Sequence, residues 1–141
     1  TTSSGADPSA WRDPAGPPLG KPADRHAADR MLRALLTAGT HFATTAFVLA
    51  DARGPQITWH TQHVTTEVRM RSLTEPELAA YLDSDDWRDK AGGYGIQGLA
   101  GAFVERIEGS YHNVVGLPIH RVVEVLLRAG ALDGYPLDPS A

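Results

Sequence analysis

Cysteine is absent from the 141 residues. That excludes disulfides, thiolate nucleophiles and cysteine–zinc centres, and it is compatible with a cytoplasmic setting. No apolar run reaches the length needed to cross a bilayer. The first residues lack the basic and apolar regions of a secretory signal. An initiating methionine is missing as well, and the expectation is that the sequence starts inside a longer gene. Positive charge is not in excess: 13 Lys and Arg stand against 17 Asp and Glu, a net charge of −4. A general nucleic-acid-binding surface would be basic, whereas a small, locally positive pocket can still take a nucleotide. There is no GxxxxGKS/T phosphate loop, no GxSxG nucleophile elbow and no HExxH zinc motif. The length suits one domain with a real core.

Along the chain, residues 1–20 are rich in Thr, Ser, Gly, Ala and Pro and show no periodic apolar face, the composition of a flexible arm. Pro22 to Ala38 reads as a helix, with Ala28, Met31, Leu32, Leu35 and Leu36 on one face, Pro22 in the first turn and Gly39 as the stop. Phe42 to Ala50 and Ile57 to Arg71 read as an antiparallel hairpin around the turn Asp51–Pro55. Val64, Thr66, Val68 and Met70 share its buried face. His60 and His63 would point to opposite faces, which argues against a metal pair. Thr74-Glu75-Pro76-Glu77 is a capping box opening a helix that runs to about Leu82. Asp83-Ser84-Asp85-Asp86 then reads as a solvated loop, with a magnesium site as the sharper alternative. Pro118 to Ala129 is the clearest helix. Its stripe Ile119, Val122, Val123, Leu126 and Leu127 reads as core, and Gly130 ends it. The organisation expected is a degenerate segment over 1–18, one domain over 19–131 and a tail over 132–141.

The least generic stretch runs from Lys90 to Pro118. It opens with Lys90, glycines at 92, 93, 95 and 98, and Tyr94 and Gln97 set between them. Glycines let a backbone approach a ligand closely. An ammonium group, an aromatic ring and an amide within eight residues suit a phosphate and a base. Gln97 carries both a donor and an acceptor, the pattern that reads a uracil or thymine edge, or it is an ordinary loop amide. Tyr94 stacks on a base or closes the loop over the core. Lys21 and Lys90 are phosphate candidates: at about 4 Å a unit charge pair is worth roughly 1 kcal/mol in water and about 4 at an effective dielectric of 20. In VERIEGS, strand alternation separates Glu105 from Glu108, so they need not form a paired acid site.

KAGGYGIQG and VERIEGSYHNVVGLP, with Leu19-Gly20-Lys21-Pro22 upstream, resemble the motifs of the Maf family of nucleoside triphosphate pyrophosphatases. Thr40-His41 and Thr66-Glu67-Val68 fall where that family has similar residues. The resemblance implies an α/β fold with a twisted mixed sheet flanked by helices, like the Maf and inosine-triphosphatase-like folds. It also implies hydrolysis of dTTP and UTP to the monophosphate and pyrophosphate, a divalent metal (magnesium or manganese) of unassigned ligands, and a homodimer, with neither nucleic acid nor membrane as partner. Lys21, Lys90, Tyr94 and Gln97 would bind substrate. Gly5-Ala6-Asp7 precedes LGKP at nearly the family's spacing, which makes Asp7 the candidate catalytic base. Pro8 replaces the Thr that follows there. The family's SxSPRR segment has no match in this chain, which reads as the C-terminal two-thirds of a family member. The second reading is a nucleotide-binding or division-regulating protein without turnover.

Overall fold

The structure, a computed structural model, describes residues 18–140. Its elements are α1 (Arg25–Ala38), β1 (Thr40–Asp51), β2 (Thr58–Met70), α2 (Glu75–Asp83), β3 (Val104–Glu108), α3 (Tyr111–Val115) and α4 (Ile119–Arg128), with short 3₁₀ turns at Ala91–Gly93 and Leu99–Phe103. The sheet order is β1-β2-β3. Strands β2 and β3 are antiparallel, with Val68 opposite Ile107 and Arg69 opposite Arg106. Only residues 52–57 join β1 to β2, too few for the crossover a parallel pair requires, so all the described strands are antiparallel. No helix is long and apolar enough to cross a membrane among the described residues. The chain divides into two compact units: the described residues through Phe42 with Glu67–Glu108, and Ala43–Thr66 with Gly109 onward.

The first unit is built on α1. Its apolar stripe is the expected one, with Ala28, Leu32 and Leu35 buried. Its start is not: the helix begins at Arg25, capped by Asp24, whose carboxylate accepts from the Ala27 amide at 2.8 Å. Pro22 lies ahead of the cap because an Asp in extended conformation satisfies a free N-terminal donor, which Pro cannot do. Gly39, at φ 74°, ends the helix by donating to the Leu35 carbonyl. On α2 both arms of the capping box form: the Thr74 amide donates to the Glu77 carboxylate at 2.8 Å, and the Glu77 amide to Thr74 Oγ1 at 3.3 Å. Ala28, Leu32, Leu78, Tyr81, Leu82, Trp87, Ala100 and Phe103 pack into one core. Its polar tips are satisfied, with Trp87 Nε1 donating to the Leu82 carbonyl and Tyr81 Oη to the Gly93 carbonyl. Burying each such large side chain contributes about 1.5–3 kcal/mol.

The second unit holds the outer part of the β1–β2 hairpin with α3 and α4. Thr66 is fully buried, and its hydroxyl is saturated. It donates to the Ser110 carbonyl at 3.1 Å and accepts from the Ser110 amide at 3.0 Å and Asn113 Nδ2 at 2.9 Å. Asn113 Nδ2 also reaches the Ala43 carbonyl. Gly109 has φ 126°, and a β-carbon there would stand 2.9 Å from Thr66 Oγ1, so the turn into α3 requires glycine. On α4 the expected core stripe is corrected. Ile119 and Leu127 are exposed, Val122, Val123 and Leu126 are half-buried, and Val125 is the buried residue. With so many apolar positions on one short helix, periodicity defines an apolar side but not which of its edges faces inward.

Candidate active site

The LGKP and KAGGYGIQG motifs, about seventy residues apart in sequence, are joined by the backbone. The Gly92 amide donates to the Gly20 carbonyl at 3.0 Å, which lays the LGKP segment along the glycine loop within the first unit. Gly92 and Gly93 have φ of 73° and 82°, a region that side chains disfavour. A β-carbon on Gly93 would meet Leu32 and Ala28 of α1, so the loop is seated on that helix. Pro22 is buried and anchors the segment, while Lys21 beside it is exposed. Gln97 is exposed as well. This loop and segment bring Lys21, Lys90, Tyr94 and Gln97 into one unit; Asp7 lies outside the described residues.

Tyr94 is held in place from two sides. Its ring packs partly against the core, and its hydroxyl hydrogen-bonds to His41 Nε2. The two rings meet edge-on, with centroids 5.4 Å apart. Burial pushes the phenol up to about 12, so it stays protonated throughout the physiological range. Lys90 is not extended toward solvent. Its ammonium donates to the main-chain carbonyl of Asp86 and, at 3.1 Å, to Asp86 Oδ1. The other carboxylate oxygen of Asp86 accepts from the Leu99 amide at 3.0 Å. In the sequence His41 is marked only by the Thr40-His41 match to the family, and Asp86 only as a member of the acidic run read as a solvated loop or a magnesium site; neither is assigned a role in the glycine loop. The usable signal for Asp86 is its place four residues ahead of Lys90, at the end of that acidic run.

Four other acids of the acidic run and of VERIEGS pair elsewhere. Asp83 pairs with Arg25, and Asp85 with Arg88 at 3.4 Å. Glu105 lies 3.7 Å from Arg69 and Glu108 3.6 Å from Arg106, all four exposed. Among the described residues no group of three or more His, Asp and Glu side chains could hold a metal ion. A hollow of about 460 Å³ between α1 and α2 is lined by Arg25, His26, Asp29, Arg33 and Glu75 and shares no residue with the motifs. Its charges are mutually satisfied, Arg33 bonding Asp29 at 2.9 Å and Glu75 at 2.7 Å.

An α/β unit with an exposed amide, an aromatic wall and an exposed lysine on two glycine-bearing segments has the makings of a small-molecule site. The sequence profile of the Maf-like protein family matches residues 5–129, and the chain belongs to that family. It is similar to the dTTP/UTP pyrophosphatase of Bdellovibrio bacteriovorus, 46% identical over 112 residues, covering 79% of this chain and 56% of the relative. Similarity to the dTTP/UTP pyrophosphatase of Escherichia coli K12 is 46% over 122 residues, covering 83% and 57%. For the Hahella chejuensis protein of the same name it is 48% over 113 residues, covering 79% and 53%. The chain thus spans little more than half the length of these relatives.

Proposed function

We propose that the chain is a nucleoside triphosphate pyrophosphatase acting on dTTP and UTP in the cytoplasm, as a homodimer. The observation that carries this reading is the Gly92–Gly20 backbone bond, which sets the LGKP segment against the KAGGYGIQG loop. On this reading the Gln97 amide pairs with the carbonyl and N–H of the uracil or thymine edge. Tyr94 forms the wall of the base pocket, and Lys21 meets the triphosphate charge. Lys21 is exposed, so its attraction to phosphate grows from the roughly 1 kcal/mol scale toward 4 only as the bound nucleotide displaces water. Water adds across the anhydride between the α and β phosphates, releasing monophosphate, pyrophosphate and a proton. Asp7, from the Gly5-Ala6-Asp7 match, is the proposed acceptor of that proton. The divalent cation implied by the family finds no donor set among the described residues, and no step is assigned to it.

Incubation of the chain with dTTP or UTP and magnesium or manganese should release pyrophosphate. Asp7→Asn should lower that turnover by about 10²–10⁴-fold, the usual contribution of a positioned base, with little change in nucleotide affinity. Orthophosphate as the first product would place the chain in another class. Nucleotide binding without turnover would make it the binding protein of the second reading.

A further inference from the structure

We infer that Asp86 is the positioning residue of the glycine loop, fixing the backbone on which Tyr94 and Gln97 are mounted. Its two carboxylate oxygens are divided between the two ends of the loop: Oδ1 takes the Lys90 ammonium at 3.1 Å, and Oδ2 the Leu99 amide at 3.0 Å. Hydrogen bonds to an ionised carboxylate are the strong ones. The pair is partly shielded, with side-chain exposures of 34% for Lys90 and 25% for Asp86, so water screens it less than an ordinary surface pair.

Two of the loop's glycines are explained by this clamp rather than by a ligand. A β-carbon on Gly98 would lie 2.4 Å from Asp86 Oδ2, and one on Gly95 would lie 2.9 Å from Lys90 Cδ. The carboxylate and the lysine stem occupy the space that side chains at 95 and 98 would need. The backbone around Asp86 is also unusual. Asp85 and Asp89 both adopt positive φ, 60° and 59°, a left-handed conformation that aspartate adopts more readily than most side-chain-bearing residues but that is still uncommon outside glycine. Such strain persists where the surroundings over-determine it. Lys90 therefore acts as a loop anchor, and its charge reaches a bound phosphate only by leaving Asp86.

The base-selection half of the test rests on the proposed pyrophosphatase reading; the backbone half does not. Amide hydrogen exchange at Leu99 should accelerate by roughly tenfold or more in Asp86→Ala, while α1 amides keep their protection. Asp86→Asn keeps an acceptor but loses the charge opposite Lys90, and should fall between Asp86→Ala and wild type; it also serves if Asp86→Ala does not fold. In kcat/KM, the UTP-to-CTP ratio should drop in Asp86→Ala toward its value in Gln97→Ala. The double variant should lose no more than Gln97→Ala alone, since both act through one contact. A purely structural role would lower both substrates equally and leave the ratio intact, which overturns the inference. Unchanged Leu99 exchange in Asp86→Ala overturns it as well. A wild-type chain without a UTP-over-CTP preference would remove the base-selection half, a wild-type chain without pyrophosphate release would remove the pyrophosphatase reading, and in either case the exchange data would decide the clamp alone.

Discussion

Gln97 is an exposed polar residue on the glycine loop, and its amide is the group in the motif able to present a donor and an acceptor side by side. Replacing it with Ala removes that pairing without disturbing the core beneath. A net hydrogen-bond contribution of about 0.5–1.5 kcal/mol translates into a loss of UTP-over-CTP preference of roughly two- to twelvefold. General triphosphate affinity should hardly change. Competition assays with the four nucleotides read this directly, and an unchanged preference order would remove Gln97 from base recognition. At this scale the sequence identifies the residues of the loop but not their partners. Lys90 reads as a phosphate ligand because a lysine beside glycines suits one, yet its ammonium is engaged by Asp86. That pairing lies between left-handed residues at Asp85 and Asp89, which no periodic pattern announces.

Among the elements, the ones with dedicated end signals are the ones the sequence locates best. The Thr74–Glu77 box opens α2 where its chemistry requires, since each side chain satisfies a donor that the helix leaves free. Thr74→Ala removes one of those bonds and should cost about 1 kcal/mol. It should move the urea midpoint downward with the same slope; an unshifted midpoint would mean that Glu77 is held by Arg71, 3.2 Å away, rather than by the box. Where two start signals compete, the stronger one decides: at α1 the Asp24 carboxylate outranks Pro22. On α4 there is no side-chain cap, and the apolar residues are spread widely enough that burial falls on Val125 instead of Ile119 and Leu127.

For the whole molecule, the antiparallel hairpin and its buried Val68–Met70 face follow from alternation in the sequence. The division into two units does not, because both are discontinuous in the chain and no Pro- or Gly-rich linker marks the change. What joins Lys21 to Gln97 is likewise a long-range backbone bond, Gly92 to Gly20, which lies between residues with no distinctive side chains. On the proposed reading this junction takes a pyrimidine nucleoside triphosphate, whether or not the chain completes the hydrolysis. That reading is tested most directly by titrating ¹⁵N-labelled chain with dTTP, with and without magnesium, and following backbone amides. Shifts should concentrate at Gly20, Lys21 and residues 92–99, with the helices α3 and α4 unmoved. Shifts confined to the hollow around Arg25 and His26, or no shifts at millimolar dTTP, would contradict it.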